Sequence, residues 1–135
     1  MDPQAIMTIG LYAGINALIM WGLFVNALRN RSRSGVSFGD GGDEALVRAM
    51  RGQANAAENV PITLLLLLIL ALMGAQNWLL HTLGIALTAG RLMHALYFVW
   101  PGVPLMFRIV GTVLTVTTIV VAAIRAIGVA FLSMV

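Results

Sequence analysis

From Pro61 to Met73 the chain reads Pro-Ile-Thr-Leu-Leu-Leu-Leu-Leu-Ile-Leu-Ala-Leu-Met, with a single hydroxyl as its polar content. Such a run is comfortable in lipid, and a second, wholly uncharged apolar segment extends over 6–28. The composition agrees: 60% of the 135 residues are hydrophobic and only 10% are charged, where a soluble domain carries about 25% charge. The mean hydropathy is +0.95. A spanning helix takes about 20 residues, so this length holds four spans with short connections and leaves no room for a separate soluble domain. The sequence therefore predicts an all-α integral membrane protein, a four-transmembrane-helix bundle in one domain over 1–135, with spans at about 6–28, 44–73, 79–99 and 105–133.

Charge placement orients the bundle. All 8 basic residues are Arg and none forms a long cluster, which argues against a nucleic-acid surface. Arg29, Arg31 and Arg33 close the first span, and Arg48 and Arg51 open the second. That is the positive-inside pattern, so both termini are expected outside and the loop over 32–42, rich in Ser, Gly and Asp, in the cytoplasm. Asp2 stands where a secretory signal would carry a basic region, so the first segment reads as a span. Asp40 or Asp43 is placed to cap the second helix, and Pro61 to kink it.

The second helix opens on a polar stripe. Arg48, Arg51, Asn55 and Glu58 fall within about a quarter of the helix circumference. Ionisable groups at the edge of a bilayer must meet partners, water or a ligand, because facing lipid costs a few kcal/mol each. The expected topology brings Arg29 and Arg31, Arg91 and His94 in the third span, and Arg108 at the start of the fourth to the same depth. Arg125 lies about 25 Å along the helix from Arg108 and reads as a residue that snorkels to the outer interface. Arginine's planar fork grips carboxylates, a lone Glu receives an ammonium group, and Asn pairs with peptide groups. The stripe thus suits a small zwitterionic anion. Because the chain has no cysteine, any thiol must arrive with a ligand, where a spare arginine would favour its thiolate. Metal binding is not expected, since His81 and His94 belong to opposite ends of a span.

Arg51-Gly-Gln53-Ala-Asn55-Ala-Ala-Glu58-Asn-Val-Pro61 resembles the second-helix signature of the MAPEG family, the membrane-associated proteins of eicosanoid and glutathione metabolism. Gly90-Arg91-Leu-Met-His94-Ala-Leu-Tyr97 is similar to its third-helix motif, and Pro104-Leu-Met-Phe-Arg108 to the start of its fourth helix. The resemblance implies a homotrimer that binds glutathione as co-substrate between subunits near the cytoplasmic face. It implies a transferase or peroxidase that delivers the thiol to a lipophilic small molecule or lipid hydroperoxide. Arg51, Asn55 and Glu58 match tripeptide-holding positions, and Arg29 or Arg31 a carboxylate-binding position supplied by the neighbour. Arg91 and His94 match positions that line or brace the site, Arg108 matches the arginine that lowers the thiol pKa, and Tyr97 joins them where the helix end is irregular before Pro101. One position departs: many relatives have a tyrosine where this chain has Phe98, and Tyr97 is rotated from it by about 100°.

Plainer readings run beside these. Glu58 and Arg51 suit a buried structural ion pair, Arg91 a bond to an acid across helices, and His94 a hydrogen-bonded span residue. Arg29, Arg31 and Arg33 also serve topology. A non-catalytic lipid- or glutathione-binding protein of the same fold is the alternative function. A small drug/proton exchanger would need an acid in the first span, and 6–28 has none.

Overall fold

The computed structural model describes residues 2–134 as four helices: α1 Pro3–Ser34, α2 Glu44–Leu72, α3 Asn77–Val99 and α4 Leu105–Met134. All four are long and apolar enough to cross a membrane. Helices satisfy every backbone hydrogen bond internally, which is the condition for spanning lipid. Large side chains such as Leu18, Trp21, Leu65, Leu92, Val113, Val120 and Ile124 are exposed around the bundle, and in hydrocarbon that exposure carries no hydrophobic penalty.

Helix ends follow local chemistry. Asp2 accepts from the Gln4 N–H at 2.9 Å with Pro3 at the first helical position, an N-terminus preorganised by Pro's fixed φ. At the other end α1 runs past 28 and into the segment 32–42 expected as loop. Arg31 and Arg33 sit in its last turn, where cations oppose the negative end of the helix dipole. Gly35, in the left-handed region at φ 68°, stops it. Arg31 then donates to the carbonyls of Val36 and Gly39 at 3.1 and 3.0 Å, folding the loop back over the helix end. Asp43 is the cap of α2. It accepts from the Leu46 N–H at 2.9 Å and pairs with Arg33 at 3.1 Å.

α2 and α3 form the centre, with α1 against both of them and α4 against both of them, while the α1 and α4 backbones stay apart. At the end where the termini lie, Leu67, Leu70, Leu80 and Leu83 pack with Ile9 and Ala122. Nearer the α1–α2 loop, Leu23, Ala56, Val60 and Ala95 form a second cluster. Lipid tails are as apolar as these side chains, so close packing and polar contacts must supply the specificity of assembly. Both are present. A Cβ on Gly111 would lie 2.5 Å from the Gly90 carbonyl oxygen, so the paired glycines let α3 and α4 touch backbone to backbone. Gly84 gives way to the Tyr12 ring in the same manner. Between α1 and α3, Thr8 donates to Asn77 at 2.8 Å, Tyr12 bonds His81 Nδ1 at 2.9 Å, and Asn16 donates to Thr88 at 2.8 Å.

Candidate functional site

The polar stripe of α2 opens onto a recess of about 260 Å³ at the end of the bundle nearer the α1–α2 loop. α2 contributes Arg51, Ala54, Asn55 and Glu58; α3 adds His94 and Phe98; α4 adds Arg108 and Thr112. Residues at i, i+3, i+4 and i+7 share one helix face, which puts 51, 54, 55 and 58 on one wall and 94 with 98, and 108 with 112, on the others. Five of the residues singled out from sequence thus meet: Arg51, Asn55, Glu58, His94 and Arg108.

Arg91 is placed differently. It is only 2% exposed and stands behind the recess. Its Nε donates to Thr115 Oγ1 and one terminal nitrogen to Asn55 Oδ1, both at 2.9 Å. An arginine can only donate, so the Asn55 oxygen must face it and the Asn55 NH2 is turned to the remaining side. Thr115 in turn donates to the Gly111 carbonyl at 2.9 Å, leaving its lone pair for Arg91. The acid expected opposite Arg91 is therefore replaced by an amide and a hydroxyl. Thr115 was missed because a threonine in an apolar helix carries no sequence signal of its own; its i+4 spacing from Gly111 becomes meaningful only once α3 lies alongside. Thr112 was missed as well, although it stands four residues after Arg108 and shares its face.

The plainer reading of Glu58 and Arg51, a buried structural ion pair, does not hold among the described residues. Both are exposed, and the one salt bridge among the described residues is Arg33 with Asp43. Tyr97, expected at the site, does not line the recess. Its ring lies under the Arg48 guanidinium, 4.3 Å from the carbon to the ring centroid, and its carbonyl accepts from the same side chain. Phe98 takes the place on the recess wall. Arg31 is turned to a separate groove of about 360 Å³ between α1 and α2, shared with Phe24, Met50 and Gln53, while Arg29 is exposed on the last turns of α1. Neither reaches the recess of its own chain.

Two guanidiniums and one carboxylate line the recess, a net charge of +1 from two arginines against one glutamate. None of the three forms an ion pair among the described residues. His94 Nδ1 is also buried without a hydrogen-bond partner. The charge balance of the lining is positive, which suits contact with groups that carry negative charge.

Fold and recess together define a multi-pass integral membrane protein with a basic polar site set into one end of a four-helix bundle. The chain belongs to the MAPEG family, whose family model matches residues 9–128. It is similar to the inner membrane protein YecN of Escherichia coli K12, with 41% identity over 88 residues that cover 65% of this chain and 67% of the relative. The YecN protein of the O6:H1 strain of Escherichia coli matches to the same extent. No solved structure gave a significant match.

Proposed function

We propose that this protein binds glutathione in the recess and activates its thiol for attack on a lipophilic electrophile or a lipid hydroperoxide. The observation that carries the reading is the unpaired trio Arg51, Glu58 and Arg108 around one recess. At neutral pH glutathione has two carboxylates and one ammonium group, a charge of −1, which complements the recess. Arg51 would take a carboxylate, Glu58 the ammonium, and the free NH2 of Asn55 a peptide carbonyl. Arg108 would stand beside the sulfur, where its charge favours the thiolate that acts as nucleophile. In conjugation the sulfur bonds to the electrophilic carbon as the leaving group departs. In peroxide reduction two glutathiones become a disulfide while the hydroperoxide becomes an alcohol and water.

The reading includes assembly as a homotrimer with the sites between subunits, close to the cytoplasmic face, and with both termini outside. Support comes from what a lone chain leaves uncovered. Arg51 and Glu58 are exposed beside Ala54 and Ala57 on α2, and an arginine facing lipid costs roughly 3 kcal/mol. A neighbour packed on this small-residue face would cover the charges. Binding pockets run from about 300 Å³ upward, so a recess of about 260 Å³ gains the volume it lacks from a second wall. The neighbour's Arg31 or Arg29 would supply the further cation.

The test is to titrate the purified protein in detergent with glutathione, following ultraviolet thiolate absorbance and thermal stability. Saturation at 100 times Kd should stabilise the fold by about 2.7 kcal/mol. Absence of both signals would remove the glutathione reading. A conjugation assay with an aryl halide separates catalysis from the second reading, a non-catalytic binder. Phe98 favours that second reading, because it brings no hydroxyl to the recess.

A further inference from the structure

Phe98 brings a ring without a hydroxyl to the recess wall, and its surroundings give the ring a task. α2 presents bare backbone to it: a Cβ on Gly52 would lie 2.7 Å from the Phe98 Cβ. The Tyr97 ring meets it edge-on with centroids 5.2 Å apart, and the His94 ring lies at 4.8 Å. Two guanidiniums flank the ring, Arg48 at 5.9 Å and Arg108 at 5.8 Å from its centroid. Arg48 is anchored, since it lies over Tyr97 and donates to the Tyr97 carbonyl in the last turn of α3, where a cation is favoured. Arg108 has no such anchor. It is exposed in the first turn of α4, and among the described residues its side chain makes no hydrogen bond or ion pair. Its guanidinium lies by the Phe98 ring.

We propose that Phe98 is a positioning residue whose ring holds the Arg108 guanidinium toward the recess for a bound thiol. The proposal rests on the glutathione reading above. The chemistry of the partner is what matters. Glu58 lines the same recess, and an Arg108 paired with that carboxylate would have its charge neutralised before any ligand arrived. A ring attracts the guanidinium through its quadrupole and leaves both the charge and the N–H donors available. Phe98 contributes no hydrogen bond of its own, so its effect on the thiolate runs through Arg108, and loss of the ring should be felt at the sulfur before it is felt in binding.

The experiment is a pH titration of bound-glutathione thiolate absorbance, with Kd measured in parallel. The proteins are the wild type, Phe98→Leu, and a variant carrying pentafluorophenylalanine at 98, which keeps the shape of the ring but reverses its quadrupole. An exposed cation–π contact corresponds to roughly a threefold equilibrium effect. Both variants are therefore expected to raise the thiol pKa by about 0.5 with Kd within about twofold of the wild type. Phe98→Tyr should show no such rise. A role in packing alone would lower the melting temperature of Phe98→Leu and leave the fluorinated protein's thiol pKa unchanged, and that result overturns the proposal. So does weaker binding without a change at the thiol. A wild type that forms no thiolate defeats the functional reading and this inference with it. A wild type that forms thiolate while the fluorinated variant titrates identically defeats the inference alone.

Discussion

Replacing Gly111 with Ala adds one methyl group where α3 and α4 are closest, and the structure sets the size of the effect. The new Cβ would lie 2.5 Å from the Gly90 carbonyl oxygen, 2.9 Å from His94 N and 3.0 Å from His94 Cβ. Ordinary contact begins at 3.4 Å, so the first of these is short by 0.9 Å (3.4 less 2.5). Two of the three obstructing atoms are backbone, which cannot rotate away, and the helices must separate. Arg91 Nε to Thr115 Oγ1 is 2.9 Å, and a separation of most of an ångström takes that contact past hydrogen-bonding range. Overpacking costs about 1–3 kcal/mol, and a hydrogen bond to a charged group about 1.5–3 kcal/mol. The helical preference for Ala over Gly returns about 0.5–1 kcal/mol. A net loss of roughly 2–4 kcal/mol is expected, equivalent to a melting temperature lower by about 10 °C for a chain of this size. Thermal unfolding in detergent reads this directly. Gly22→Ala is the control, because its Cβ meets nothing within 4 Å and should leave stability unchanged or slightly raised. If Gly111→Ala melts within about 2 °C of the wild type, the α3–α4 contact yields more easily than a backbone contact should, and the reasoning fails.

The α1–α3 interface offers a paired test at Tyr12. Tyr12→Phe removes the bond to His81 and should cost about 1 kcal/mol, whereas Gly84→Ala drives a methyl group into the Tyr12 ring and should cost more; equal or reversed melting temperatures would contradict the packing described. In the α1–α2 loop, Arg33→Ala breaks an ion pair whose arginine side chain is 61% exposed and should shift stability by less than about 1 kcal/mol. Asp43→Ala also removes the α2 cap and should cost about 1 kcal/mol more, seen as the lower melting temperature of the two.

How much of this was readable beforehand follows from the range of each interaction. Four spans were legible because lipid acts on every residue of a helix alike, so the apolar runs and their polar punctuation are local properties. Helix ends were less so. α1 continues to Ser34 because Arg31 and Arg33 suit a helix C-terminus even where Ser and Gly content reads as loop, and only the left-handed Gly35 decides between the two. The polar stripe at Arg51, Asn55 and Glu58 was legible from period alone, since 3.6 residues per turn put it on one face. Its convergence with His94 and Arg108 followed from topology, because alternate crossings return the chain to one depth.

The sequence by itself thus determined a four-span membrane bundle and the level in it where charge gathers. Tertiary structure decided which charges meet. It buried Arg91 on Asn55 and Thr115, where an acid was expected, and left Glu58 unpaired in the recess. It also turned Tyr97 to Arg48 and Phe98 to Arg108. These choices depend on helix rotation and separation of a fraction of an ångström to a few ångströms, set by Gly90 against Gly111 and by Gly52 against Phe98. Contacts across helices with no hydrophobic force to drive them are fixed by shape, and shape of that kind exists only once the helices are side by side.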